Sequence, residues 1–151
     1  MGDEDLLRLF TQASKTMRAV KTVILRQHGV YLGQEVMLTV LWASDGLTPG
    51  ELAERLGVTV PTVVRMAKRM ESSGLLARRR DSRDGRLVRL HLTPRAKRLE
   101  RPLKADLAVL AEHAMAGLSP ADHEVLDRAL TSVIDRMQAM LEQHADEADL
   151  A

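Results

Sequence analysis

The chain contains no cysteine, which excludes disulfides, thiolate metal centres and thiol redox switches. Its eight methionines can be oxidised, but they are not a designed thiol switch. Aromatics are scarce: Phe10, Tyr31 and Trp42 make up 2% of the residues. Proteins that bind RNA or single strands stack bases on several exposed rings, so that class is disfavoured. No apolar run approaches the roughly 20 residues of a membrane span, and no signal peptide is read at the start; a cytoplasmic location is expected. A glycine-rich phosphate loop, a nucleophile elbow and a paired-carboxylate constellation are all missing, so an enzyme is not expected and no cofactor is assigned. The histidines (28, 91, 113, 123 and 144) are dispersed without a paired spacing on one helix face. Only His113 and His123 bracket a common turn, and no metal site is expected.

What the chain does have is charge in one place. At 151 residues, 45% hydrophobic and 28% charged, it has the size and composition of one soluble domain with a real core. The net charge is only +1. Between Thr48 and Arg95, however, eleven basic residues face five acidic ones, a local +6 against −5 for everything outside. Phosphate binding requires such a concentrated field. A solvated basic face would be the reading if the same charges lay on a pattern without a known geometry.

The pattern has one. A first helix is read from about Asp5 to Gln27, with Leu6, Phe10, Ala13, Met17, Val20 and Ile24 stepping alternately by four and three, the seam of a helix packed along other helices. A second, Gln34 to Ser44, places Val36, Met37, Val40 and Leu41 on one face. Thr48-Pro49-Gly50-Glu51 is a capping box that starts the third, whose inner face is Leu52, Ala53 and Leu56, and Gly57 closes it. Thr59 caps the fourth, which runs through Val63, Met66 and Met70 to Ser73-Gly74. Ala77 to Arg80 and Val88 to Leu92 read as two strands around the turn-rich 81–85, the second alternating Val88, Leu90 and Leu92 with Arg89 and His91. Thr93-Pro94 and Ser119-Pro120 open the last two of about six helices. Their apolar stripes, Leu99 to Ala114 and Leu126 to Leu141, exceed what one small lobe can cover and imply a dimer interface. The acidic end, 146–149, reads as frayed tail. The fold class is mainly α with a small β-hairpin: a winged helix-turn-helix lobe over 34–93, with helical dimerisation segments at 1–30 and 94–145, in one domain.

The module points to duplex DNA. With Val63, Met66 and Met70 inward, Pro61, Thr62, Arg65, Lys68 and Arg69 face outward on the fourth helix, a shape that fits the major groove. Thr62, Arg65 and Arg69 step by three and four along one side. There arginine can pair with guanine, and threonine can meet a thymine methyl or a phosphate. The capped helix start at Thr59 suits a backbone phosphate. Arg83 and Arg86 sit on the wing turn, where an extended guanidinium can enter a narrow A·T-rich minor groove. Asp84 is expected to orient Arg86 by a charge-assisted hydrogen bond, and Arg78 and Arg80 to supply backbone contacts.

Asp84-x-Arg86-x-x-x-Leu90-x-Leu92-Thr93 resembles the wing signature of the MarR family of bacterial regulators. The run from Leu52 to Thr59 and Gly74-Leu75-Leu76 are also similar to that family. The resemblance covers nearly the whole chain. It implies an obligate two-fold dimer with intertwined terminal helices, paired recognition helices on a palindrome, Arg86 as the minor-groove arginine, and repression. It also implies release of DNA by a small aromatic or phenolic acid held between the dimer helices and the lobe. Met17, Arg26, His28, Tyr31 and Trp42 lie where such a pocket would form, although core packing and a helix end account for the same residues. Two alternatives stay open: the same DNA reader without a small molecule, and a winged-helix module that binds protein. The +6 on the wing and recognition helix speaks against the latter.

Overall fold

A computed structural model describes residues 1–149, with side chains through Ala145. Six helices and one hairpin follow in the order α1 (Asp3–Gln27), α2 (Gln34–Ala43), α3 (Pro49–Leu56), α4 (Val60–Ser72), β1 (Leu76–Arg80), β2 (Val88–Leu92), α5 (Pro94–Met115) and α6 (Pro120–Asp149). Hydroxyl side chains set the start of the last four helices, as N-caps that satisfy otherwise unpaired amides. Thr48 Oγ1 accepts the Glu51 amide at 3.2 Å while Glu51 Oε2 accepts the Thr48 amide at 2.8 Å, the reciprocal box read from the sequence. Thr59 Oγ1 accepts the Thr62 amide at 3.4 Å, Thr93 Oγ1 the Ala96 amide at 3.2 Å, and Ser119 Oγ the Asp122 amide at 3.2 Å. Gly57 closes α3 at φ 64°, the left-handed conformation that lets the chain turn sharply into α4. Pro102 lies inside α5, which continues through it.

The chain divides into two compact units, one ending at Leu110 and the other beginning at Ala111. The first holds the hydrophobic core. Leu25 of α1, Met37, Leu38 and Leu41 of α2, Leu52 of α3, Val63 and Met70 of α4, Leu75, Leu90 of β2 and Leu103 of α5 are all fully buried. Each such side chain contributes about 1.5–3 kcal/mol of apolar burial. The core thus extends beyond the 34–93 span into α1 and α5. Two helix faces differ from expectation. On α2, Val36 is exposed and Leu38 takes its place in the core; on α4, Ala67 is buried while Met66 is only half-buried. The inward position differs by two residues on α2 and by one on α4.

β1 and β2 pair antiparallel with Leu76 opposite Leu92, Arg78 opposite Leu90 and Arg79 opposite Arg89. A connection not visible in the sequence joins the other edge of β2. Leu47 bridges Leu90, with the Leu90 amide donating to Leu47 O at 2.8 Å and the Gly46 amide to Leu90 O at 3.1 Å. Asp45 Oδ1 adds a bond from the Leu92 amide at 2.8 Å. The turn before α3 is therefore stitched to the hairpin.

Along α1, Leu6, Phe10, Met17 and Val20 of the seam are exposed. In the second unit, none of the described side chains of α6 is buried, and Val133, Met137 and Leu141 stand open. The acidic stretch read as tail is helical in backbone to Asp149; its side chains lie outside the described residues.

Candidate DNA-binding face

Burial fixes which face of α4 is presented. Val63, Ala67 and Met70 point into the core at no more than 1% exposure, so Pro61, Arg65, Lys68 and Arg69 are left exposed and Thr62 half-buried. The start of the helix is pre-ordered. Thr59 and Thr62 hydroxyls lie 2.9 Å apart, and Arg65 Nη2 donates to Thr62 Oγ1 at 3.5 Å. Among the described residues, Lys68 and Arg69 have no ion-pair partner. The face displays cations that no carboxylate among the described residues neutralises.

The wing is ordered by a different residue from the one expected. Asp84 does not hold the Arg86 guanidinium; its carboxylate accepts the Arg86 backbone amide at 3.0 Å. This shapes the turn, because a short aspartate side chain reaches the amide two residues on more easily than the end of an arginine. The guanidinium of Arg86 is left without an internal partner among the described residues, as is that of Arg83. The organising group is Asp81. Its Oδ1 accepts the Arg83 amide at 2.7 Å and the Asp84 amide at 3.0 Å, and its Oδ2 accepts Arg89 Nε. Arg89 and then these two amides hold the Asp81 carboxyl at about 2, well below its ordinary 3.8. The same contact with Asp81 strengthens the protonation of Arg89. Arg89 Nη1 also donates to Gly46 O at 2.9 Å and lies 3.5 Å from Glu51 Oε2. Sequence reading missed this pair. Its signal was period two: Arg79 and Asp81 share a strand face, and antiparallel pairing sets Arg89 opposite Arg79.

Of the basic residues on β1, Arg78 is engaged, its Nε donating to Glu71 Oε2 at 2.8 Å. Arg79 and Arg80 are exposed. Arg78 therefore ties β1 to the end of α4.

An open cavity of about 1000 Å³ adjoins α4. Arg26 and Tyr31 line it together with Leu32 and Gln34, and Arg65, Met66, Lys68 and Arg69 form its α4 wall. Among the described residues, no acidic side chain lines it. The other three residues expected there stand elsewhere. His28 Nε2 contacts Asp106 Oδ2 at 2.6 Å, tying the end of α1 to α5. Trp42 Nε1 donates to Ala96 O at 2.9 Å, and Lys104 Nζ lies 5.6 Å from its ring centre. Met17 is one of the exposed seam residues of α1. Proximity along the sequence near a helix junction does not give the direction of a side chain.

Fold and site together define a winged helix-turn-helix protein. Residues 30–88 match the model of the MarR family. The HTH-type transcriptional regulator TtmR of Methylorubrum extorquens is 31% identical over 116 residues, which are 77% of this chain and 58% of TtmR. The chain thus spans less than two thirds of that relative. The Staphylococcus aureus MepR–DNA complex is similar at a TM-score of 0.76 and 25% identity, covering 90% of this chain and 98% of MepR. The organohalide-sensing regulator RdhR, in a form bound to 2,4-dichlorophenol, has a similar fold at a TM-score of 0.80 and 22% identity, over 90% of this chain and 82% of that one. The chain thus carries a MarR-type winged helix-turn-helix over residues 30–88 and is similar to transcription regulators of that family.

Proposed function

We propose that this protein is a sequence-specific duplex-DNA-binding regulator that works in the cytoplasm as a two-fold dimer on a palindromic operator, most simply as a repressor. The observation that carries this reading is the outward face of α4. Arg65, Lys68 and Arg69 are exposed on a helix whose opposite side is locked into the core. Beside it in sequence stands a wing whose Arg83 and Arg86 side chains have no partner among the described residues. Cations left free by the chain's own acids are what a phosphate backbone and base edges require. Dimerisation is supported by the apolar residues left open along α1 and along α6, since monomers rarely leave such stripes in water. No described helix is long and apolar enough to cross a membrane.

A small aromatic acid is the effector the cavity suits. Tyr31, Leu32 and Met66 offer apolar walls, Arg26 and the α4 cations offer charge, and no carboxylate opposes an anion. That RdhR has been seen with a chlorophenol supports the same chemical class.

The test is titration of the purified protein against the DNA upstream of its own coding sequence and against a scrambled duplex, across salt, with light scattering to give the mass in solution. Specific binding with a steep salt slope and twice the mass of one chain is expected. Absence of binding at low salt would replace this reading by a protein-interaction module. Added 2,4-dichlorophenol or 2-hydroxybenzoate should release the DNA, and release should weaken in Arg26→Ala.

A further inference from the structure

Strand pairing in the hairpin ends at Arg80 and Val88, and one more backbone bond, from the Asp81 amide to Leu87 O at 2.9 Å, closes the ladder. Residues 82–87 project beyond it with Arg83 and Arg86. An isolated two-stranded ribbon is marginally ordered, so the aim of its tip needs a separate restraint. The base of the wing has one in the Leu47–Leu90 bridge. Among the described residues, Arg89 carries that restraint outward to the turn.

We propose that Arg89 and Asp81 form a positioning pair that fixes the wing-tip arginines relative to the helix-turn-helix. The pair thereby sets the spacing along the duplex between the bases met by α4 and the flanking step met by the wing. This rests on the reading of the wing as a DNA contact. Arg89 reaches two elements at once. Nε meets Asp81 on the wing, whereas Nη1 donates to Gly46 O and faces Glu51, whose same oxygen closes the N-cap of α3. Asp81 likewise has two duties, with Oδ2 on Arg89 and Oδ1 on the amides of Arg83 and Asp84. A continuous path runs from the start of α3 to the tip, and α3 leads through the Gly57 turn into α4.

The charge arrangement requires this acid. Arg79 stands directly opposite Arg89, a like-charge pair that repels, and Asp81, two residues along the same face, neutralises it. Asp81 is 12% exposed and Arg89 31%, so both are partly sheltered and Arg89 spends its donors inside the protein. A lysine at 89 would keep the charge but lose the fork that serves three acceptors.

The experiment compares wild type, Arg89→Ala, Asp81→Ala and the double variant on operator duplexes whose flanks are A·T- or G·C-rich, across salt. Amide exchange of Arg83 and Asp84 is followed in the DNA-free protein. Both single variants should lose flank discrimination while keeping discrimination at the bases under α4. The double should be no worse than either to within about twofold, because one linkage is being broken. The salt slope should stay that of wild type, and the two amides should exchange faster. A slope reduced by about one in Arg89→Ala alone would make Arg89 a phosphate contact and overturn the pair. Additive losses, or unchanged exchange, would also overturn it. Wild type without flank discrimination would count against the wing–DNA reading instead, and the pair would then be judged on exchange alone. Arg89→Lys and Asp81→Asn should show intermediate losses and carry the same test if an alanine variant does not fold.

Discussion

The recognition helix and the wing both display arginine, yet they are held in place by different physics. Behind α4 stand Val63, Ala67 and Met70, sealed in the core. Behind the wing tip stands a carboxylate shared between one guanidinium and two amides. Packing is insensitive to pH and salt and fixes a whole helix as a rigid rod. Charge-assisted hydrogen bonds are directional, local and titratable. The helix is thus held as a unit by burial, and the wing tip by a few directional bonds anchored at the base of the wing.

That contrast can be broken in order of size. Met70→Ala should cost about 2–5 kcal/mol in urea unfolding, because it opens a cavity behind α4. A loss below about 1 kcal/mol would mean that burial does not anchor the helix. Arg65→Ala should leave unfolding unchanged and cost about 1–3 kcal/mol in operator binding, confined to one base position. A uniform loss on every sequence would reduce Arg65 to a phosphate contact. Thr59→Ala removes the cap of α4 and should cost roughly 1 kcal/mol of stability; no change would show the 3.4 Å bond to be idle.

The smallest effect is the most selective. The folded Asp81 carboxyl lies at about 2, below its ordinary 3.8. The stability it supplies is fully present above 3.8 and is lost as pH falls through about 2. In an acid titration followed by NMR, the amides of Arg83 and Asp84 should therefore shift with a midpoint near 2. Those of Val63 and Met70 should not follow that step. A wing midpoint near 3.8 would remove the Arg89 contact from solution.

Much of the lobe was legible in the sequence because its signals are local. The Thr48–Glu51 box, the Thr59 cap, the Gly57 stop and the alternation of Val88, Leu90 and Leu92 each act within a few residues, and each appears where it was read. What failed was non-local. The preference for Leu38 over Val36, and for Ala67 over Met66, depends on where neighbouring helices lie, which periodicity alone does not give. Asp84 accepts the Arg86 amide and not its guanidinium, and the charge-assisted bond of the wing instead joins Asp81 to Arg89, which the strand register brings to it. Only Arg26 and Tyr31 of the five pocket residues line the cavity. The cations of its α4 wall had been read as DNA contacts only, and nothing in their spacing announced that they line a cavity.

The most direct measurement is a set of affinities for wild type, Arg65→Ala and Arg86→Ala on four duplexes, combining an intact or substituted core base with A·T- or G·C-rich flanks. The account predicts that Arg65→Ala abolishes discrimination at the core base and keeps it at the flank, and that Arg86→Ala does the reverse. If both variants weakened all four duplexes equally, α4 and the wing would be gripping phosphate alone, and the division of labour between helix and wing would be wrong.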